Sequence, residues 1–193
     1  MADDRSRLIA LLQLAYSGEM SAAYAYRGHW KSVSVEAEQI RIAEIEEDEW
    51  RHRRQVGEML SALRSSPDSV REARASFIGR ILGFMCHLSG WLLPMYGAGK
   101  LESGNIREYE AAARFARGCD RTDLVDCLLE MAEVEWDHEH YFRRLVVGHW
   151  LGRHLPIWPE PPAKANIRTS FENEDKAAIR AGTTSSQTSA RLL

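Results

Sequence analysis

The sequence predicts an all-α protein: a bundle of four long helices with one long apolar connection between the second and the third. Three observations carry this expectation. Apolar residues recur at alternating spacings of three and four along four stretches of the chain. A Gly-interrupted apolar run, followed by Pro94, separates the first two stretches from the last two. The string Glu-Trp-x-His occurs twice, at Glu49–His52 and Glu135–His138, 86 positions apart, once in the second stretch and once in the fourth.

The first helix is expected to start near Asp4, with a seam of Leu8, Leu12, Ala15, Glu19, Ala22 and Tyr26. A carboxylate thus stands where a bundle seam calls for a leucine. The second helix spans Val35 to Leu63, with the seam Ile42, Ile45, Glu49, His52, Val56 and Met59. Off that seam, Glu44, Glu46, Glu47, Arg51 and Arg53 read as a solvated face. The third helix ends near Arg117 and carries Met95, Ala98, Glu102, Asn105, Tyr109 and Ala112. The fourth begins after Gly118, with Asp120 as N-cap and Asp123 in its first turn. Its seam is Leu124, Leu128, Met131, Glu135, His138, Phe142 and Leu145, leaving Glu139 and His140 out of register. Glu19 to Glu102 and Tyr26 to Tyr109 are both 83 positions apart, so the halves read as a duplicated helical hairpin.

The connection runs from Arg64 to about Leu93. Ser66-Pro67-Asp68-Ser69 signals a turn and a helix start, since proline suits a first helical turn. The apolar run from Phe77 to Leu93 approaches the roughly 20 residues of a membrane span. Arg80, His87 and three glycines interrupt it. The expectation is a helix packed on the bundle, with one face toward lipid or a substrate channel.

At 193 residues and a net charge of −3, the chain suggests one domain and no nucleic-acid partner. Three cysteines without a C-x-x-C pair argue against a disulfide framework or a zinc ribbon and fit a reducing cytosol. The charged N-terminus reads as neither signal nor transit peptide. Residues 1–155 are assigned to the bundle. Residues 156–193, changing composition near Pro159 and poor in large apolar side chains, are expected to be a disordered tail.

Four seam carboxylates and two seam imidazoles would be ruinous in an empty core, because an unpaired buried carboxylate costs at least several kcal/mol after relaxation. No Lys or Arg shares the seams, and two divalent cations would balance the four charges. A Glu and a His at i and i+3 on each of two helices, with one Glu from each of two more, is the ligand set of a di-metal bundle. Glu19, Glu49, His52, Glu102, Glu135 and His138 are therefore the candidate metal ligands. Mixed carboxylate and imidazole donors suit two iron ions, with manganese as the alternative; affinity alone also leaves zinc open. His29 lies ten residues past Glu19, about 15 Å along the axis at 1.5 Å per residue, and reads as a core or rim residue. Tyr26 and Tyr109 read as core packing, Trp50 and Trp136 as packing between helices, and His140, His149 and His154 as surface residues.

With these residues placed, the chain resembles the ferritin-like di-iron proteins, and among them the demethoxyubiquinone hydroxylase family, over roughly residues 7–147. Gly18-Glu19-Met20-Ser21-Ala22-Ala23 looks like that family's first-helix signature. Glu49 with His52, Glu102 in Leu-Glu-Ser-Gly, and Glu135 with His138 match its remaining ligand positions. The chain departs from the pattern at Tyr16-Ser17, where the family usually has a His. It departs again at Glu110-Ala111-Ala112-Ala113 and in lacking an evident closing helix. The resemblance implies a ferritin-like four-helix bundle in which Glu49 and Glu135 bridge two irons. Glu19 and His52 would hold one ion, Glu102 and His138 the other. It implies an O2-activating monooxygenase, with Glu49 and Glu135 as catalytic bridges, that hydroxylates an apolar, quinone-like substrate of ubiquinone biosynthesis. It also implies a cytoplasmic protein that touches a membrane peripherally through residues 77–93; homodimerisation is compatible with it. Two alternatives stand beside this: a rubrerythrin- or ferritin-type peroxidase or ferroxidase, with peroxide or O2 as partner, and a non-enzymatic binding module stapled by metal.

Overall fold

The four seams become four long helices, and the connection between the pairs becomes a fifth. The computed structural model describes residues 2–173. Its elements are α1 (Ala2–Ser32), α2 (Glu36–Ala62), α3 (Ser69–Cys86), α4 (Leu92–Gly118) and α5 (Val125–Gly148), with short 3-10 turns at Thr122–Leu124 and Gly152–His154. The fold is all-α, as the seams predict.

Two apolar clusters form the core. One gathers Leu8 and Leu12 of α1, Val56 to Leu63 from the end of α2, Ile106 to Ala116 of α4 and Leu128 to Ala132 of α5. The other gathers Ala22 and Tyr26 of α1, Ile42 and Ile45 of α2, Met95 of α4, and Phe142 and Val146 of α5. These memberships set the directions: α1 runs antiparallel to α2 and α4, and parallel to α5. The six seam carboxylates and imidazoles lie between the clusters, in a polar layer across the middle of the core.

The connection is laid along α1 by an unusually close approach. A Cβ on Gly28 would overlap the backbone of Gly83, and one on Gly79 would overlap the Ser21 carbonyl. Glycine there lets two helix backbones touch, so the residues that interrupt the apolar run are the residues that dock it. Arg53 reinforces the contact by stacking on Tyr16 of α1, 3.7 Å from the ring centroid, and pairing with Glu72 of α3. The outward face of α3 keeps Phe77, Ile78, Ile81 and Phe84 exposed, and Leu88 is exposed in the turn that follows. No helix among the described residues is long and apolar enough to cross a membrane.

Four expectations are corrected. Asp68 itself caps α3, accepting from the Val70 and Arg71 amides at 2.9 and 3.1 Å, and Pro67 sits outside the helix. Asp120 does not cap the last helix; with φ 60° it closes α4 in a left-handed turn, where Arg121 N donates to Ala116 O at 2.8 Å. Glu46 and Glu139, read as solvated or out of register, are buried. Glu46 accepts from Arg27, Trp30 and Trp50, and Glu139 from Arg143 and Trp158. An off-seam carboxylate can be buried where an indole covers it and a guanidinium neutralises it.

The fourth correction concerns the C-terminal segment. Residues 156–173, expected within a disordered tail, form a strap over α4 and α5, and 165–173 are helical. Trp158, Ile167 and Phe171 are buried, the indole of Trp158 lying against Gly99. Tyr96 and Trp136 donate to the carbonyls of Pro156 and Pro162 at 2.7 and 2.8 Å. Arg168 pairs with Glu133 and Asp126 of α5. Three large side chains suffice because polar groups on the bundle satisfy the strap's backbone. The expectation for 174–193 lies outside the described residues.

Trp158→Ala should therefore destabilise the protein by about 3–5 kcal/mol, as for other buried Trp truncations. Denaturant unfolding monitored by circular dichroism checks this, and a change under about 1 kcal/mol would show that the strap contributes little.

Candidate metal centre

The polar layer is built by helical register. Glu49 and His52, and Glu135 and His138, are i, i+3 pairs, so each pair shares one face of α2 or α5. Glu19 of α1 and Glu102 of α4 face them. All six are buried, with Glu49, Glu102, Glu135 and His138 wholly so.

Their atoms form two groups that share two members. Glu19, Glu49, His52 and Glu135 place one ligand-type atom each within 4.8 Å of one another, and Glu49, Glu102, Glu135 and His138 do the same. Glu49 and Glu135 belong to both. His52 Nδ1 lies 2.9 Å from Glu135 Oε1 and 4.0 Å from Glu19 Oε2. His138 Nδ1 lies 3.6 Å from Glu49 Oε1 and 3.7 Å from Glu135 Oε2. The two imidazole centroids are 6.4 Å apart.

The layer is unsatisfied as protein alone. Glu19 Oε2, both oxygens of Glu49, Glu135 Oε1 and the Nδ1 atoms of His52 and His138 are buried without a hydrogen bond. Each such atom is costly, and six converging on one place are not a feature of a packed core. All are lone-pair donors or become so on losing a proton, as hard or borderline divalent cations require. The residues present fit two metal ions.

Groups around the layer hold it in place. Tyr26 of α1 donates to Glu102 of α4, and Tyr109 of α4 donates to Glu19 of α1, a crossed pair of bonds between the helical hairpins. Asn105 donates to Glu102 Oε2 at 2.9 Å. Asp48 Oδ2 lies 3.0 Å from His138 Nε2, an arrangement that directs Nδ1 inward. Asp48 was missed because it sits off the α2 seam. The tyrosines were read as packing, although their shared 83-residue offset with the glutamates was the signal for the crossed bonds. His140 stacks on Trp136 and His149 on Trp91; neither they nor exposed His154 belongs to the cluster.

The electrostatics follow from burial. Desolvation raises Glu19, Glu49 and Glu102, the last two well above the usual carboxylate range, where neighbouring carboxylates add to the rise; at Glu19 the contact with Glu49 opposes it. Burial also pushes Glu135 up, but His138, His52 and Glu102 outweigh it and hold Glu135 well below that range. Burial lowers His52 and His138, yet Glu135, with Asp48 at His138, raises both overall.

Comparison with protein-family models, curated proteins and solved structures gives no match for this chain. Its chemistry is read from its own residues.

Two outcomes follow. Since metal binds the deprotonated ligands and the raised groups retain protons, loading should release at least about one proton per chain near pH 7, and affinity should rise with pH. Titration of the metal-free protein in weakly buffered solution with a pH indicator checks this; loading without proton release contradicts it. Asp48→Ala should lower metal affinity about 10–100-fold, measured by competition with a chelator.

Proposed function

We propose that the chain is a di-metal carboxylate oxidoreductase of the ferritin-like bundle type, activating O2 to hydroxylate an apolar small molecule. Glu19 and His52 would hold one ion and Glu102 and His138 the other, with Glu49 and Glu135 between them. The donor set favours iron, with manganese next. Two such ions, when bound, would supply two of the four electrons that reduce dioxygen; the substrate C–H bond supplies the other two, and an external one-electron reductant would restore the ions for each turnover.

One observation carries the choice of a hydroxylase over a sealed metal staple. A cavity of about 320 Å³ opens between α1, α3 and α4, lined by Ala22, Leu82, Met85, Leu93, Ala98 and Leu101 among others. Tyr26 forms part of its wall, and the Tyr26 hydroxyl donates to Glu102. An apolar molecule in this cavity would be one side chain away from a ligand carboxylate. Ala22 and Ala98 leave room beside Glu19 and Glu102, and the leucines give the cavity an apolar wall.

Tyr26 and Tyr109 would keep Glu102 and Glu19 aimed while Asp48 fixes the His138 imidazole. The exposed apolar face of α3 and of the turn after it, from Phe77 to Leu88, adjoins the cavity, which Leu82 and Met85 line. It supports peripheral contact with a lipid surface as the route by which an apolar substrate arrives. A second reading, a ferroxidase, draws on a smaller cavity of about 180 Å³ in which the Glu19 and Glu108 carboxylates stand among mainly apolar groups, two charges that would draw a cation.

Anaerobic loading with ferrous iron should give two ions per chain by metal analysis; one or none rejects the proposal. Glu135→Ala should abolish oxygen-dependent turnover and leave helical circular dichroism unchanged, because the two apolar clusters on either side of the layer hold the bundle. A variant with undiminished oxidase activity would remove the site from catalysis.

A further inference from the structure

The cavity between α1, α3 and α4 has one polar group buried in its wall and left unused. None of its lining residues is charged, and most of the surface is carbon. Tyr26 is committed to Glu102. His29, one turn further along α1, is 2% exposed, and its Nε2 makes no hydrogen bond. The ring packs beside both Tyr26, at 6.3 Å and 17° between planes, and Phe142, at 5.9 Å and 16°, in a three-ring cluster in which Tyr26 and Phe142 are 5.8 Å apart. Burial in this cluster holds the imidazole in place. Burial lowers its pKa to about 4, so at neutral pH it is an uncharged hydrogen-bonding group.

A buried imidazole nitrogen without a partner is costly to the fold, and a leucine here would pack against Tyr26 and Phe142 without that cost. The group makes physical sense if something else completes it. A charged ligand finds no counter-ion in this wall, and a pure hydrocarbon would leave the nitrogen unpaired. An uncharged molecule with one polar oxygen satisfies both conditions.

We propose that His29 is the specificity-determining contact of the cavity, its Nε2 hydrogen-bonding the single hydroxyl or carbonyl oxygen of an otherwise apolar, uncharged substrate. This rests on the reading that the cavity is where the substrate binds. His29 lies ten residues beyond Glu19, about 15 Å along α1. It would hold the existing oxygen at the end of the cavity away from Glu19, with the apolar part of the molecule toward Tyr26.

The test is calorimetric binding of a matched pair, 4-propylphenol and propylbenzene, to the full chain with its metal content measured on the same sample. The phenol should bind about tenfold more tightly, the scale expected for a buried hydrogen bond that only one ligand can make. His29→Leu should erase the preference by weakening the phenol and leaving propylbenzene unchanged or tighter. Equal binding by the wild type, binding of neither probe, or a preference that survives His29→Leu overturns the proposal. Should His29→Leu not fold, nitrogen-15 histidine spectra of the wild type decide: the His29 ring signals shift with 4-propylphenol and not with propylbenzene, and no difference overturns it. A sample that shows the preference but takes up no iron on anaerobic loading would reject the di-metal reading and leave this one standing.

Discussion

Four carboxylates in one buried layer are the constraint around which this molecule is arranged. The layer divides the core into two apolar clusters, and each must be packed well enough to offset what the layer costs. Only groups that donate or share a proton, or a cation, can make so much negative charge tolerable. The protein itself supplies two phenols, one amide, one outer aspartate and two imidazoles. That supply is incomplete, as the unpaired oxygens of Glu49 and the inward nitrogens of both histidines show.

Much of this was legible in the sequence because a seam repeats. Glu19, Glu49, His52, Glu102, Glu135 and His138 each occupy a position where bundle geometry demands an apolar residue, so register alone draws them together. The docking of α3 was partly legible: the apolar run was expected to pack on the bundle, but its glycines read as interruptions. Only the structure shows that Gly79 and Gly83 meet Ser21, Tyr24 and Gly28.

What escaped the sequence depends on partners that register does not supply. Glu46 and Glu139 look solvent-facing until an indole from elsewhere closes over each, with Arg27 of another helix on Glu46 and Arg143 of the same helix on Glu139. Asp48 is one residue off the seam and matters only because His138 comes within 3.0 Å of it from another helix. Residues 156–173 contain too few apolar side chains to fold alone, and their order is borrowed from tyrosine, tryptophan and arginine side chains on α4 and α5. Composition measures what a segment can bury by itself, not what a neighbour can offer it.

The crossed bonds from Tyr26 to Glu102 and from Tyr109 to Glu19 bear on how the two hairpins belong together. Neither hairpin holds a complete set: each contributes a phenol whose acceptor, and a carboxylate whose donor, lie on the other. Separated, both would bury a polar group with nothing to meet it, and pairing would become an encounter governed by concentration. Joined through α3, the same encounter takes place within one chain, at an effective concentration set by the tether rather than by the cell. The connection that forms the cavity is thus also what makes the protein's two halves a single cooperative unit.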